Sequence, residues 1–397
     1  MNLSIERVGE GVIIHFNGRL DAVSSPQVEE ELNAQLAAQG EMRELVWDAD
    51  GTTYISSTGL RVLLGLKKKY PQLRITEVSN DVYNILNMTG FTEIIPIERR
   101  MRRLSIDDCE LIGKGGVGTV YRLSDDSIIK VFRKDVTMDT LNREMTLARE
   151  TFVLGMPTAI AFDVVRVGEQ YGLVYELLKA KTLSDCIKMH PERIDEYARL
   201  YAQLFRELHT IEVKPGHVIE DAHETERGEL EYIRRYFDDE SVDMLIRILQ
   251  SIPKGNRLLH GDLQTKNVMM QDSELMLIDM GEVGYGHPLL DLAHAYSALV
   301  SLVGDYDAII GFPRKYGTTF WNTVMDVYFE GESAEAIAHR LEQIKVASLI
   351  RNFSWLSLSD SFSPEVINEC HDLFVERVKN HQEYIYKMCE TFVDWQV

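Results

Sequence analysis

The chain has 397 residues and a formal net charge of −21 at pH 7. This length exceeds what one ordinary hydrophobic core holds, so two or three domains are expected. The acidic balance argues against a nucleic-acid binder, because neutralising a phosphate backbone needs a basic surface.

The cysteine content and the apolar runs indicate the compartment. The four cysteines form no C-x-x-C pair, which is typical of a reducing environment and not of a disulfide framework or a zinc site. The N-terminal residues lack the basic start and apolar run of a signal peptide, and no apolar stretch is long enough to span a bilayer. We therefore expect a cytoplasmic protein with no membrane partner.

Residues 1–98 alternate strand and helix patterns. Strands are predicted at 11–16, 44–48 and 73–78, and helices from Ser25, at 59–69 and around 82–88. Strands that alternate with helices indicate a small α/β domain with a mixed sheet. The basic run 98–103 predicts a linker, which we place at 99–107.

Residues 48–61 resemble the signature of STAS domains, the anti-sigma-factor antagonist family, and residues 18–21 and 86–91 match two further segments of that family. The resemblance spans the first domain and implies an anti-sigma factor or another signalling protein as a partner. It also implies that Ser57, at the start of a helix, is phosphorylated by a partner kinase. Ser56 stands where phosphorylated members usually have aspartate, so Ser57 is either this switch or only a helix cap.

A different pattern begins at residue 108. Strand patterns dominate over 108–179, and helices prevail over 180–397, interrupted by short apolar strands near 259 and 278. A small sheet lobe followed by a larger helical lobe predicts an α+β architecture with two lobes.

Residues 113–120 fit the pattern G-x-G-x-x-G-x-V between two predicted strands. Gly113, Gly115 and Gly118 would let the backbone approach phosphates and direct its N–H groups at them. The pattern alone is weak, because glycine-rich hairpin turns are common. The residues that follow the turn strengthen the interpretation.

Lys130 lies one strand after the glycine pattern, where a side chain can reach the α and β phosphates of a nucleotide. The predicted helix 141–151 offers Glu144 as its ion-pair partner, with Glu150 as the alternative. Glu176 and Leu178 end a predicted strand and would form the hinge between the lobes, where backbone groups hold adenine.

The strongest assignments follow the apolar strand that ends at Leu259. Phosphoryl transfer from ATP needs a carboxylate that orients the attacking hydroxyl, oxygen ligands for magnesium, and positive charge on the phosphates. Asp262 would be the catalytic base, and Asn267 and Asp279 the magnesium ligands. His260 is predicted to brace the loop.

The pattern H-G-D-x-x-x-x-N at residues 260–267 resembles that of the aminoglycoside phosphotransferase and choline kinase-like group, which has a protein-kinase-like fold. Asp279 matches the magnesium aspartate of this group, and residues 286–293 match its G-x-P-x-x-D-L-A segment. The resemblance covers roughly 105–300 and implies an ATP- and magnesium-dependent transfer to a hydroxyl group. It also implies that Asp291 holds the catalytic loop.

Two departures leave the acceptor open. Gly261 replaces the arginine of the protein-kinase H-R-D motif, and no A-P-E segment follows Asp279. We therefore expect a small hydroxylated acceptor. The alternatives are a signalling kinase acting on Ser57 or on a partner's serine, and a nucleotide-binding scaffold without catalysis.

The acidic stretch 220–231 has two interpretations. Its carboxylates lie where the resembling group builds its acceptor site, and they would suit a cationic acceptor. The alternative, which we favour, is a solvated helical insertion, since charge runs are usually exposed.

Overall fold

A computed structural model describes residues 2–214, 216–271, 273–358 and 362–395. Residues 1, 396 and 397, which the predicted domain bounds include, lie outside the described residues. The chain divides into two compact units, Met1–Leu104 and Ser105–Val397. The division falls inside the predicted linker 99–107, and the finer domain bounds stay a prediction.

The first unit is a mixed β-sheet covered by helices. Its strands are β1 (Asn2–Val8), β2 (Gly11–Leu20), β3 (Glu44–Asp48), β4 (Thr52–Ile55), β5 (Leu73–Val78) and β6 (Ile97–Arg99), and its helices are α1 (Ser25–Ala37), α2 (Ser57–Lys69) and α3 (Asn80–Met88). The short strand β7 (Arg102–Arg103) follows β6 and is not part of this sheet. In the order β1-β2-β3-β5-β6, only β1 runs antiparallel to its neighbour, and β4 pairs with β2. The predicted α/β class is confirmed.

The basic run 98–103 differs from its prediction. Instead of serving only as a linker, it contributes the end of β6, which pairs with β5, and the short strand β7. Arg74 explains part of the difference, because it forms ion pairs with Glu98 on β6 and Glu44 on β3. Charged residues are common on exposed edge strands, and successive side chains of a strand point to opposite faces of the sheet, so a basic run can form a strand.

Helix α2 begins with a cap that the sequence left undecided. Ser56 is the N-cap, and its hydroxyl accepts a hydrogen bond from the Gly59 N–H. Ser57 is the first helical residue and is exposed. The interpretation of Ser57 as the helix cap is therefore wrong, because the residue before it fills that position.

The second unit begins with an antiparallel sheet. Its strands β8 (Glu110–Lys114), β9 (Gly118–Arg122), β10 (Ser127–Phe132), β11 (Ala161–Val167) and β12 (Gln170–Glu176) lie in the order β11-β12-β10-β9-β8, with helix α4 (Met138–Val153) between β10 and β11 in the chain. Leu141 and Leu147 of α4 are buried, and the helix packs against β11 and β12. This is the predicted small sheet lobe.

The larger lobe is mainly helical. Its helices are α5 (Leu183–Met189), α6 (Ile194–Thr210), α7 (Ala222–Tyr232), α8 (Asp239–Ser251), α9 (Pro288–Tyr296), α10 (Tyr306–Ile310), α11 (Gly317–Tyr328), α12 (Ala334–Ala347), α13 (Arg351–Ser354), α14 (Pro364–Arg377) and α15 (Gln382–Cys389). Short strands β13 (Lys181–Thr182), β14 (Glu220–Asp221), β15 (Arg257–Leu259), β16 (Val268–Gln271), β17 (Glu274–Leu277) and β18 (Gly284–Gly286) form the sheets β13-β16-β17 and β14-β18-β15. Among the described residues, no helix has the length and apolarity to cross a membrane.

Two glycines of α2 provide a matched test of the packing in the first unit. A Cβ atom at Gly59 would lie 2.3 Å from the Leu20 carbonyl oxygen, whereas a Cβ atom at Gly65 would meet nothing within 4 Å. We expect Gly59→Ala to lower the free energy of unfolding by about 2 kcal/mol, since the clash is with backbone. Gly65→Ala should raise it by roughly 0.5–1 kcal/mol, because alanine is the better helix former.

The measurement is urea unfolding of the full chain, followed by hydrogen exchange in peptides that contain β3. Equal stability of the two variants would show that α2 does not approach Leu20 this closely.

Candidate active site

The glycine turn forms one wall of a cleft in the second unit. Gly115 donates its N–H to the Gly118 carbonyl at 2.9 Å, which closes the turn between β8 and β9. A Cβ atom at Gly118 would lie 2.5 Å from the Val131 carbonyl oxygen, so a larger residue does not fit there. Gly113 lies within β8, outside the turn. The cleft has a volume of about 600 Å³.

Lys130 lies at the centre of the cleft between two carboxylates. Its Nζ is 3.0 Å from Glu144 Oε1 and 2.7 Å from Asp279 Oδ1. Burial by itself lowers the pKa of Lys130, but the carboxylates of Asp279 and Glu144 outweigh it and hold that pKa above its usual value. The structure places Glu144, and not Glu150, at the lysine, since Glu150 pairs with His217 at 3.2 Å.

Tyr175 supports this pair and was not identified from the sequence. Its hydroxyl donates to Glu144 Oε1 at 2.7 Å, and burial raises the pKa of Tyr175 well above its usual value. Glu144 therefore keeps a neutral donor on one side and the ammonium of Lys130 on the other. A tyrosine within an apolar strand was the available signal, because a buried hydroxyl needs a partner.

The predicted hinge follows directly after Tyr175. Glu176 donates its N–H to the Ile160 carbonyl at 3.0 Å, and its carboxylate accepts the Ile160 N–H at 2.9 Å. Glu176 and Leu178 both line the cleft. The side chain of Glu176 thus joins the hinge to the small lobe.

Asp262 and Asn267 lie together on the loop after β15. The Asn267 Nδ2 donates to Asp262 Oδ2 and to the Asp262 carbonyl, each at 2.9 Å, and Gln264 Nε2 donates to the same carboxylate oxygen at 3.0 Å. Since the amide nitrogen of Asn267 faces Asp262, its amide oxygen is the atom that can bind a cation.

Ile278 connects this loop to the cleft. His260 Nε2 lies 3.2 Å from the Ile278 carbonyl, and the Ile278 N–H donates to the Asn267 carbonyl at 3.0 Å. The next residue, Asp279, has a φ of 63°, a conformation that is uncommon outside glycine and that occurs at functional sites. The structure therefore brings the loop residues next to the carboxylate that contacts Lys130.

Asp291 fixes the backbone of the loop that carries Asp262 by accepting two hydrogen bonds from it. One carboxylate oxygen accepts the His260 N–H and the other accepts the Gly261 N–H, both at 2.9 Å, and the residue is 1% exposed. Burial by itself raises the pKa of Asp291, but contact with His209 and His260 and the backbone hydrogen bond lower it. The geometry matches the supporting roles predicted for His260 and Asp291.

Whether this site suits magnesium depends on the side-chain oxygens that can act as its ligands. Asp279 supplies a carboxylate and Asn267 an amide oxygen, which are ligands that this cation accepts. Among the described residues, no group of three His, Cys, Asp or Glu side chains is placed to hold a metal. Two oxygen ligands suit magnesium, since it is usually held by one or two carboxylates together with phosphates and water.

The acidic stretch 220–231 differs from the favoured prediction. Glu226 is 4% exposed and lies 2.7 Å from His294 Nε2, and Glu229 lies 3.7 Å from Arg351 Nη1. Arg351 also contacts Glu282 at 2.8 Å. A solvated insertion is therefore the wrong description of this face of α7, although Glu224 is exposed. We call these five residues, Glu226, Glu229, Glu282, His294 and Arg351, the α7 charge cluster.

The spacing within α7 was a signal for this burial. His223, Glu226 and Leu230 are buried at intervals of three and four residues, which place them on one face of a helix. Because the partners His294 and Arg351 are far away in the chain, the spacing did not reveal which charges neutralise the glutamates.

Comparisons with known proteins agree with this architecture. Residues 108–319 match the model of the phosphotransferase enzyme family, and residues 2–103 match that of the STAS domain. The putative anti-sigma factor antagonist BtrV of Bordetella bronchiseptica is 32% identical over 101 residues, which are 24% of this chain and 85% of that protein. The first unit is thus a STAS domain, and both resemblances are confirmed.

Solved structures that are similar to this chain have low sequence identity to it. The ADP-bound aminoglycoside phosphotransferase APH(2'')-Ib is 15% identical with a TM-score of 0.46, over 74% of this chain and 96% of that one. A choline/ethanolamine kinase family protein from Mesorhizobium loti is 16% identical with a TM-score of 0.43, over 72% and 88% of the two chains.

The α7 charge cluster predicts a specific pH dependence of stability. Burial and the charge of Glu226 raise the pKa of Glu229 to about 8 from 4.5. Glu229 thus has a pKa of about 8 in the folded protein and of 4.5 in the unfolded chain. Between pH 4.5 and pH 8 the folded protein binds more protons than the unfolded chain, so the free energy of unfolding falls as pH rises. We expect Glu229→Gln to remove this fall and to be more stable than wild type at about pH 9.

Glu224→Gln is the matched control, because it makes the same change on the exposed face of the same helix. The measurement is urea unfolding at about pH 5 and about pH 9, followed by hydrogen exchange in β15. Parallel pH curves for wild type and Glu229→Gln would contradict the assigned burial.

Proposed function

Because the chain belongs to the phosphotransferase enzyme family, we propose that its second unit transfers the γ-phosphoryl group of ATP to a hydroxyl group of a small molecule. The STAS domain would act as a regulatory module. The observation that carries the proposal is the pairing of two clusters, Asp262 with Asn267 and Lys130 with Asp279, across Ile278.

Each cluster supports one requirement of the reaction. Asp262, held by the amides of Asn267 and Gln264, would orient the acceptor hydroxyl and take its proton. Lys130, held by Glu144, would place positive charge on the phosphates. Gly115 and Gly118 of the glycine turn line the same cleft.

Asn267 and Asp279 would hold magnesium. When bound, this ion neutralises charge on the phosphate oxygens. Positioning and electrostatic stabilisation dominate phosphoryl transfer, so the reaction requires no covalent nucleophile from the protein.

The proposed acceptor class follows from the family. The carboxylates Glu226 and Glu229 are engaged with His294 and Arg351, so they do not by themselves support a cationic acceptor. We propose a small hydroxylated acceptor, a cytoplasmic location, and an anti-sigma factor or other signalling protein as the partner of residues 1–98.

The test of catalysis is Asp262→Asn. We expect it to lower turnover about 10²- to 10⁴-fold, the usual contribution of general-base assistance, and to leave the Kd for MgATP unchanged. Asp125→Asn, the same change at an exposed turn, is the control and should keep full turnover. The assays are ATP consumption over a panel of amino alcohols, aminoglycosides and sugars, and calorimetric binding of MgATP. Full turnover by Asp262→Asn would remove Asp262 from the reaction.

A second candidate is a signalling kinase whose acceptor is Ser57. It is favoured by the exposure of Ser57 at the start of α2 and by Ser56 serving as the cap, which leaves the Ser57 hydroxyl available. A phosphate at a helix N-terminus is electrostatically favourable and adds charge to a surface.

Intact-mass spectrometry after incubation with MgATP distinguishes the candidates. Under the second candidate, wild type gains one phosphoryl group, and Asp262→Asn and Ser57→Ala do not. An unchanged mass together with consumption of ATP supports a separate small acceptor. Binding of MgATP without any turnover across the panel would favour the third possibility, a nucleotide-binding scaffold.

A further inference from the structure

Helix α9 contacts the catalytic loop with two side chains three residues apart. Asp291 accepts the N–H groups of His260 and Gly261, as described above. His294, one turn further along the same face, places its Nδ1 2.6 Å from the Gly261 carbonyl oxygen. The loop is therefore held by an anion at its N–H groups and by a ring nitrogen at a carbonyl.

The carbonyl that His294 contacts belongs to the peptide that leads into Asp262. The N–H of this same peptide donates to His260 Nδ1 at 3.3 Å. Gly261 has a φ of 80°, and a Cβ atom there would lie 2.2 Å from the Glu282 carbonyl oxygen. The peptide plane before Asp262 is thus held at its oxygen, at its nitrogen and at its α-carbon.

The contacts of His294 define its protonation. A carbonyl oxygen only accepts hydrogen bonds, so Nδ1 carries a proton. Nε2 lies 2.7 Å from a carboxylate oxygen of Glu226, as an ion pair that lacks the alignment of a hydrogen bond. Burial by itself lowers the pKa of His294, but Glu226 outweighs it and raises that pKa to about 9.

The other charges that face this pair come from four elements. Glu229 lies on α7 with Glu226, Glu282 follows Asp279, Arg351 begins α13, and Asp262 is on the loop itself. Arg351 opposes the charge of His294, whereas the carboxylates favour it. Glu226 pairs with His294 and Glu282 with Arg351, while burial and the charge of Glu226 raise the pKa of Glu229 to about 8, which favours its protonated form at neutral pH.

We propose that His294, held by Glu226, is a positioning residue for phosphoryl transfer: its hydrogen bond to the Gly261 carbonyl sets the peptide plane, and with it the direction of the Asp262 carboxylate. This inference rests on the proposed function and assigns the buried face of α7 to the catalytic loop and not to the acceptor. Helix α7 contributes through Glu226, whose negative charge favours the protonated form of His294.

The test separates the two nitrogens of His294. Asparagine places its amide nitrogen where Nδ1 lies and can still donate to Gly261, whereas glutamine reaches the place of Nε2 and cannot. Both changes are made together with Glu226→Gln, so that neither variant has a buried, unpaired carboxylate. The comparison is between Glu226→Gln/His294→Asn and Glu226→Gln/His294→Gln.

The probe is MgATP with water as the acceptor. We expect kcat of the glutamine variant to be about tenfold below that of the asparagine variant, the usual effect of one hydrogen bond, with KM for MgATP equal within about twofold. Wild-type kcat should also fall as pH rises through about 9, and this limb should be missing from the asparagine variant.

A second readout does not depend on turnover. Hydrogen exchange of the peptide that contains residues 260–264 should be about tenfold faster in the glutamine variant than in the asparagine variant. Faster exchange with equal kcat would overturn the proposal, because the hydrogen bond would then be structural only. Equal exchange and equal kcat would overturn it as well.

Turnover of the wild-type protein distinguishes failure of the positioning role of His294 from failure of the proposed phosphotransferase function. Absence of MgATP turnover in wild type across water and the acceptor panel overturns the proposed function, and the positioning role with it. Turnover in wild type with no difference between the two variants overturns the positioning role alone.

Discussion

A single buried ammonium group organises the second unit. Lys130 has a side chain that is 12% exposed, and a buried charge is tolerated only when opposite charges surround it. Its two partners come from distant parts of the chain, Glu144 on α4 and Asp279 after β17. The position of α4, the small sheet and the segment that carries Asp279 therefore depend on one another, and Tyr175 adds a neutral donor to the same carboxylate.

A comparable principle holds the catalytic loop. Asp291 is fully buried, and its charge is met by backbone N–H groups and by His209. The α7 charge cluster contacts the same loop through His294, whose Nδ1 lies 2.6 Å from the Gly261 carbonyl oxygen. Both arrangements use buried charges that are paired, and such groups specify geometry more than they add to stability. A loop that must present one carboxylate in one direction benefits from this kind of support.

The two units differ in what limits their function. In the STAS domain, the question is whether an exposed hydroxyl at the start of α2 accepts a phosphate, and the cap at Ser56 leaves Ser57 available for it. In the phosphotransferase unit, Lys130, Glu144 and Asp279 contact one another, and Asp262 and Asn267 are linked to them through Ile278. A serine side chain and a small alcohol carry the same reacting hydroxyl group, so both are compatible with the role proposed for Asp262.

The sequence by itself determined the fold class and the order of the two domains, and it predicted the central site residues. Strand and helix periods are local, Asp262 and Asn267 lie between β15 and β16, and Asp279 follows the hairpin of β16 and β17, so neighbouring residues carry that information. The tertiary structure decided the rest: the choice of Glu144 over Glu150 as the partner of Lys130, and Tyr175, His294 and Arg351 as supporting groups. These depend on contacts between residues that are 14 to 149 positions apart, as for Lys130 with Glu144 and with Asp279. Burial and charge pairing arise only when the chain has packed, and no periodicity in the sequence specifies which distant partner neutralises a given charge.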